Sequence, residues 1–103
     1  MKTFETTSWI FLATAISSEI ESVNFAGISK VADGINHAIP TQKEMQNALS
    51  WLTEQKLVTK VEKKYSLTES GKKIYEEVKK ENIVLLKMWK SIEDKFVSKF
   101  ENT

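Results

Sequence analysis

A row of amide, hydroxyl and ammonium side chains begins directly after Pro40, the one proline of the chain. Glutamine and asparagine amides donate and accept hydrogen bonds, and their geometry matches the edge that adenine presents in the major groove of DNA. Lysine and the hydroxyls can bond to the phosphate oxygens nearby. The row therefore has the chemistry to contact a duplex, and it comprises Thr41, Gln42, Lys43, Gln46, Asn47 and Ser50.

A second set of cations follows on the segment 58–67. Residues 41–73 carry seven lysines against four glutamates, whereas residues 1–40 have a net charge of −2. An excess of positive charge confined to one region attracts a phosphate backbone. We therefore expect Lys60, Lys63 and Lys64 to contact phosphates.

All fifteen basic residues are lysine. Lysine neutralises phosphate but lacks the planar fork with which arginine binds guanine bidentately. The selection of bases would therefore fall mainly to Gln42, Gln46 and Asn47, with Lys43 beside them. Because these amides match adenine, we expect a binding site with A·T content.

A helix over residues 41–54 must position the polar row. Pro40 cannot continue a preceding helix, Thr41 can cap the new one, and Glu44 completes a capping box. Opposite the polar row, an apolar stripe at helical spacing predicts a buried face, formed by Met45, Ala48, Leu49 and Leu52.

A two-stranded hairpin is expected after this helix, because the sequence period changes to two. Residues 57–61 are rich in β-branched side chains, residues 62–64 form a charged tip, and residues 65–67 form the return strand. Thr68 then caps the next helix. Gly71, one turn into that helix, predicts close packing of the helix against the hairpin.

This pattern of helix, hairpin and helix resembles the winged-helix transcriptional regulators of bacteria, of the MarR-like and PadR-like kind. The resemblance covers roughly residues 8–80 and is carried by Thr41, Leu57, Val58, Tyr65, Leu67, Thr68 and Gly71. It implies an α+β, mostly α-helical fold: a winged helix-turn-helix of three helices plus a β-hairpin wing over residues 1–79, then a C-terminal dimerisation helix over residues 80–103. It also implies a homodimeric regulator of transcription, with its recognition helix (about 41–54) in the major groove of double-stranded DNA and its wing (58–67) on the backbone.

Two further helices are predicted before Pro40. The first spans residues 8–21 and is apolar over most of its circumference, so it needs cover on two sides; its core stripe comprises Trp9, Leu12, Ala13, Ile16 and Ile20. After a short connection at residues 22–24, Asn24 can cap a second helix over residues 25–36. Together with the helix at 41–54, this second helix forms the predicted helix-turn-helix.

The C-terminal segment has a strong apolar stripe after a polar interval at residues 79–82, where the helix is expected to kink or break. A terminal stripe this rich needs a second surface, and the resembling regulators use their terminal helices to dimerise. The predicted dimer interface comprises Trp9, Phe11, Leu85, Met88, Trp89, Ile92, Phe96 and Phe100. The alternative is that this helix folds back on its own chain.

Several functional classes are disfavoured. Without cysteine and with one histidine, the chain offers no thiolate metal site and no disulfide. No nucleophile–base set or paired carboxylate motif is present, so we expect neither an enzyme nor a cofactor. A winged helix that binds proteins rather than DNA is the alternative function, favoured by the near-neutral net charge of +1. A pocket for a small effector, lined by Trp9, Phe11, Trp89 and Phe96, is a further hypothesis.

The length of 103 residues suits one domain, and we expect a cytoplasmic protein. The apolar run 9–16 faintly resembles the core of a signal peptide, but Glu5 precedes it where positive charge is usual. The run is also too short to span a membrane, which needs about 20 apolar residues.

Overall fold

The computed structural model describes residues 4–100, which form an α+β, mostly helical fold. Within that range the chain has five helices and three strands, and the strands form one antiparallel sheet in the order β1-β3-β2. In chain order the elements are α1 (Glu5–Ser17), β1 (Val23–Asn24), α2 (Phe25–Asn36), α3 (Gln42–Glu54), β2 (Val58–Val61), β3 (Lys64–Leu67), α4 (Glu69–Glu81) and α5 (Leu85–Phe100).

Helix α1 is the centre of the core and contacts α2, α3 and α5. Its consecutive residues Ile10, Phe11 and Leu12 are all fully buried, so the helix is covered around its whole circumference. The hydroxyl of Thr14 is buried as well, and it donates to the Ile10 carbonyl at 2.8 Å. This confirms the prediction that the first helix is covered on two sides.

The prediction for the end of α1 was wrong. The Ser17 and Ser18 hydroxyls donate to carbonyls of the last turn, at 2.7 Å to Ala13 and 2.6 Å to Thr14. Such local bonds satisfy the terminal carbonyls and favour an end to the helix. The helix therefore stops before Ile20, which was assigned to the core but is 96% exposed.

Side-chain caps set the start of α2 and α3, as predicted. The Asn24 side chain accepts from the Gly27 amide at 2.9 Å. At α3, the Thr41 hydroxyl accepts from the Glu44 amide at 3.0 Å, and the Glu44 carboxylate accepts from the Thr41 amide at 2.9 Å. This reciprocal pair is the capping box predicted from the sequence.

The sheet contains one strand more than the predicted hairpin. Strands β2 and β3 pair as predicted, with Val58 opposite Leu67 and Val61 opposite Lys64. Strand β1 pairs with the other edge of β3, so that Val23 lies opposite Tyr65. The prediction that residues 22–24 form only a connection was therefore wrong, because Val23 and Asn24 pair with the free edge of β3.

Helix α4 packs closely on the hairpin through Gly71. A Cβ atom at Gly71 would lie well inside van der Waals distance of the Leu57 carbonyl oxygen, so the backbones can approach only without a side chain there. Thr68 caps this helix by accepting from the Gly71 amide at 3.1 Å, and its hydroxyl donates to the Lys56 carbonyl at 2.6 Å. Both predictions for this junction are confirmed.

Helix α5 begins after a break at residues 82–84 and packs back on α1 and α4. Its inner side chains, Met88, Ile92 and Phe96, are buried within the single chain. The Phe96 ring contacts the Phe11 ring edge to face, with the centroids 5.4 Å apart. The stripe predicted to face a second chain is therefore covered by the same chain, which is the alternative left open by the sequence.

Candidate nucleic-acid interface

Helix α3 separates its two faces as the sequence predicted. Its apolar stripe is buried against the core, with Met45 and Leu52 at 1% and 0% exposure. On the opposite face, the predicted polar residues are all exposed: Gln42, Lys43, Gln46, Asn47 and Ser50. A helix surface about 13 residues long thus presents amides, a hydroxyl and an ammonium group to an external partner.

Thr41 stands at the N-terminal end of this surface and is itself exposed. Its oxygen accepts the Glu44 amide, and its hydroxyl hydrogen can still donate outward. The amides of the first helical turn give this end a partial positive charge, which favours a phosphate nearby. The negative charge of Glu44 offsets part of that effect, because its carboxylate is bound at the same turn.

The structure brings part of the polar row together with the hairpin lysines. Gln42 and Gln46 line one side of a groove of about 610 Å³, and Lys60 and Lys63 line the other. An adjoining groove contains Gln46 again, together with Ser50 and Lys60. Amides and ammonium groups therefore face a common space between α3 and the hairpin.

Two aromatic residues at the base of this groove were not predicted as site residues. Phe25 and Tyr65 line both grooves. The Lys60 ammonium lies 5.6 Å from the centre of the Tyr65 ring, a distance at which a cation–π interaction holds the lysine in place. No local pattern could reveal this, because Phe25 begins α2 and reaches the same groove as Tyr65 only through the pairing of β1 with β3.

The remaining predicted contacts lie beside the grooves rather than in them. Lys43 and Asn47 are on the exposed face of α3, and Lys64 is at the exposed start of β3, but none of the three lines either groove. The adjoining groove also contains a negative group that the prediction left out, since Glu54 lines it together with Lys60. A polyanion would approach most closely at the groove that Lys60 and Lys63 line, because Glu54 does not line it.

The hairpin lysines have no carboxylate partner in the described part of the chain. Ion pairs within residues 4–100 involve Lys79, Lys90 and Lys95, on α4 and α5. Lys60, Lys63 and Lys64 are exposed and form none of these pairs. Their charges are therefore available to an external anion.

The tip of the hairpin has an unusual backbone. Glu62 and Lys63 have φ angles of 51° and 68°, in the left-handed region. A two-residue hairpin turn of type I′ requires this conformation, and asparagine and glycine adopt it at the lowest cost. Here two charged side chains occupy the turn instead.

The residues predicted for the dimer interface lie mostly inside the chain. Of the eight, five are buried and two are half-buried, which leaves Leu85 at 41% exposure. The rings proposed to line an effector pocket fill the space between them: Trp9 stacks on Trp89 at 5.8 Å, and Phe11 contacts Phe96. The buried ones are Trp9, Phe11, Met88, Ile92 and Phe96, and the half-buried ones are Trp89 and Phe100.

A different cavity, of about 570 Å³, lies between the segment after α1 and helix α4. The Tyr75 hydroxyl donates to the Glu19 carboxylate there at 2.5 Å, and Lys79 lies 3.6 Å from the same carboxylate. Burial, reinforced by the hydrogen bond to Glu19, raises the pKa of Tyr75 well above its ordinary value. This cluster joins the two elements but lies apart from the α3 surface.

Residues 4–100 contain no group of three or more histidines, aspartates and glutamates placed to hold a metal ion. No helix in that range is both long and apolar enough to cross a membrane. Comparison of the chain with protein-family models, with curated proteins and with solved structures finds no match.

Proposed function

We propose that this protein is a winged helix-turn-helix that binds double-stranded DNA and regulates transcription. In this proposal α3 enters the major groove, where Gln42, Gln46 and Asn47 contact base edges. The hairpin β2–β3 is the wing, whose lysines contact the flanking phosphates. Two such chains in a homodimer would bind two half-sites about one helical turn apart.

The order and pairing of the elements support a winged helix. Two helices, α2 and α3, are joined by a short turn, and α3 is followed directly by the hairpin. Strand β1 adds a third strand beside the hairpin and ties α2 to it. This arrangement leaves the outer face of α3 beside the hairpin, as the proposed docking on DNA requires.

The observation that carries the proposal is the shared groove between α3 and the hairpin. Solubility alone also requires a polar outer face on a helix. Scattered lysines would meet that requirement equally well, so solubility does not explain a grouping of particular side chains. Here two glutamine amides face Lys60 and Lys63 across one groove. Base-reading amides next to phosphate-binding ammonium groups are the combination that a duplex requires.

Selection of bound duplexes from a random pool would test the proposal directly. The expected result is enrichment of A·T-containing half-sites with a fixed spacing, and binding that weakens steeply as salt is raised. Gln46→Ala should change the preferred sequence, whereas Lys63→Ala should weaken binding to all sequences alike. Equal recovery of all sequences at every salt concentration would contradict the proposal.

A protein-interaction module is the second candidate. Glu54 in the adjoining groove and Glu62 at the hairpin tip both oppose a polyanion, and Val61 in the hairpin is 65% exposed. Retention on heparin at moderate salt separates the two candidates. A DNA-binding protein should be retained by its lysines, whereas an interaction module with a net charge of +1 should elute early.

A further inference from the structure

Four consecutive aliphatic residues are exposed where the chain passes from α4 to α5. Ile83 is 95% exposed, Val84 is 53% exposed, Leu85 is 41% exposed and Leu86 is 57% exposed. Exposed aliphatic side chains are ordinary when they are scattered singly, whereas a contiguous group marks a surface that a partner covers. We call these residues the apolar segment 83–86, and they indicate a partner outside residues 4–100.

Two exposed lysines stand on either side of the apolar segment. Lys80 lies in the last turn of α4, and Lys87 follows the segment directly. Neither lysine forms an ion pair with a carboxylate of residues 4–100. Their charges are therefore available to an anion that approaches the apolar segment from outside.

The other charged side chains of residues 79–90 are already paired within the chain. The pairs are Lys79 with Glu19, Glu81 with Lys95, and Lys90 with Asp94. The carboxylate nearest the apolar segment, that of Glu81, is thus offset by a lysine of α5. The unpaired charge that flanks the segment is positive on both sides.

The start of α5 adds a third feature that favours an anion. Val84 precedes the helix and has no side-chain atom that could accept from the first amides, and the first turn contains no acidic residue. The amides at a helix N-terminus carry a partial positive charge. Aliphatic side chains, two ammonium groups and these amides therefore lie together at one corner of the molecule.

We propose that the apolar segment 83–86 docks on the surface of a lipid bilayer that contains anionic lipids. Its side chains enter the boundary between headgroups and acyl chains, and Lys80 and Lys87 lie at the level of the lipid phosphates. Four residues are far too few to cross a bilayer, which needs about 20 apolar residues, so the protein lies on one leaflet. This inference goes beyond the proposed function and does not rest on it.

A second copy of the chain would cover the apolar segment less well than a bilayer. A two-fold contact centred on the segment would bring the lysines of both copies together, and like charges destabilise an interface. Specific protein interfaces also bury about 800 Å² on each partner, which is more than four partly exposed side chains supply. Anionic headgroups have the opposite charge, and a fluid bilayer requires no complementary shape.

Co-sedimentation of the full chain with lipid vesicles would test the proposal. The probe is a vesicle of phosphatidylcholine that contains about 30% phosphatidylglycerol, and the comparison is a vesicle of phosphatidylcholine alone. We expect the chain to sediment with the anionic vesicle and to bind the neutral one at least about fivefold more weakly, because the lysines then have no anionic lipid to contact.

Matched substitutions on α5 would locate the contact. Leu86→Gln should weaken vesicle binding about tenfold, because it removes one side chain from the apolar surface. Val97→Gln is its control, since Val97 is 40% exposed on the same helix but lies about 16 Å further along it. Lys87→Gln should weaken binding about fivefold, whereas Lys99→Gln near the far end of the helix should leave it unchanged. Far-UV circular dichroism checks that each variant keeps its helices.

Lys63→Gln separates this contact from the proposed DNA surface, because anionic vesicles also attract the hairpin lysines. The variant should weaken duplex binding but keep vesicle binding within about twofold of the wild type. Leu86→Gln should have the opposite effects: weaker vesicle binding and unchanged duplex binding. The membrane proposal and the DNA proposal can therefore fail independently.

Three results would overturn the membrane proposal. The first is a wild-type chain that sediments with neither kind of vesicle. The second is vesicle binding that Lys63→Gln removes and Leu86→Gln leaves unchanged, which would place the contact on the hairpin. The third is a mass that, without lipid, rises with concentration in the wild type but stays at 11.8 kDa in the Leu86→Gln variant, because a second copy would then cover the segment.

Discussion

Gly71 lies directly against the backbone carbonyl of Leu57, and this contact joins α4 to the start of the hairpin. The partner atom belongs to the main chain, so it cannot move aside as the end of a flexible side chain could. The Leu57 carbonyl also accepts from the Thr68 amide at 3.1 Å, which holds it further in place. The position of the hairpin beside α3 therefore depends on one residue that has no Cβ.

Gly71→Ala should destabilise the fold by about 2 kcal/mol or more, because the added methyl group must displace backbone. Urea unfolding followed by circular dichroism measures this loss. Gly34→Ala is the matched control: it also lies in a helix, but nothing lies within 4 Å of its added Cβ. That variant should gain about 0.5–1 kcal/mol from helix propensity. Similar losses in the two variants would contradict the close contact at Gly71.

Lys63→Gly should separate the backbone of the hairpin tip from its charge. Glycine suits the left-handed conformation, so the variant should be more stable by a few tenths of a kcal/mol to about 1 kcal/mol. Loss of the ammonium group should nevertheless weaken duplex binding severalfold and lower the salt dependence by about one phosphate contact. The midpoint of unfolding and a gel-shift titration measure the two effects.

Glu62→Gly is the control for this variant, because it relieves the same kind of backbone strain at the adjacent position. It removes a negative charge instead, so it should bind the duplex as tightly as the wild type or more tightly. If both variants lost affinity equally, the tip would act through its shape rather than through Lys63.

Phe96→Ala should cost about 3–5 kcal/mol, because it leaves a cavity between α1, α3 and α5. The Phe96 ring contacts four other rings, those of Phe4, Phe11, Trp51 and Phe100. Ser98→Ala, two residues further along the same helix and exposed, should stay within about 0.5 kcal/mol of the wild type. Urea unfolding at a concentration at which the chain is monomeric makes the comparison. A small loss for F96A there would show that its cover comes from a second chain.

Stability at alkaline pH should depend on Tyr75. Its pKa is raised in the folded protein, so the unfolded chain loses this proton at a lower pH than the folded one. The stabilisation is complete below about pH 10, the ordinary value for tyrosine, and is lost as the pH rises toward the raised pKa. Tyr75→Phe removes this group, so its stability should fall less between about pH 9 and 11 than that of the wild type. Parallel pH profiles for the two proteins would contradict the burial of Tyr75 and its hydrogen bond to Glu19.

Local signals predicted most of the elements. The caps at Asn24, Thr41 and Thr68 each consist of a side chain and an amide within three residues, so the sequence alone carries them. The two faces of α3 were predictable for the same reason, because helical spacing alone separates the polar row from the apolar stripe.

The features that could not be predicted depend on contacts between residues far apart in the chain. Strand β1 has two residues and no periodicity of its own, and it exists because β3 offers an edge to it, with Tyr65 opposite Val23 and 42 positions further along the chain. The aromatic base of the groove depends on the same pairing. An apolar stripe such as that of α5 also shows only that something covers it; whether the cover is the same chain or another depends on the path of the chain at residues 82–84.

Because α1 is covered on all sides in the folded chain, its apolar surface is exposed while the rest of the chain is still being made. Helix α1 is made before α5, yet the Trp89 indole donates to the Glu5 carbonyl at 2.8 Å, a bond that spans 84 positions. On leaving the ribosome, α1 therefore exposes apolar side chains around most of its circumference until α5 has been made and covers it. Newly made chains stopped before α5 should be the forms that chaperones bind and proteases remove.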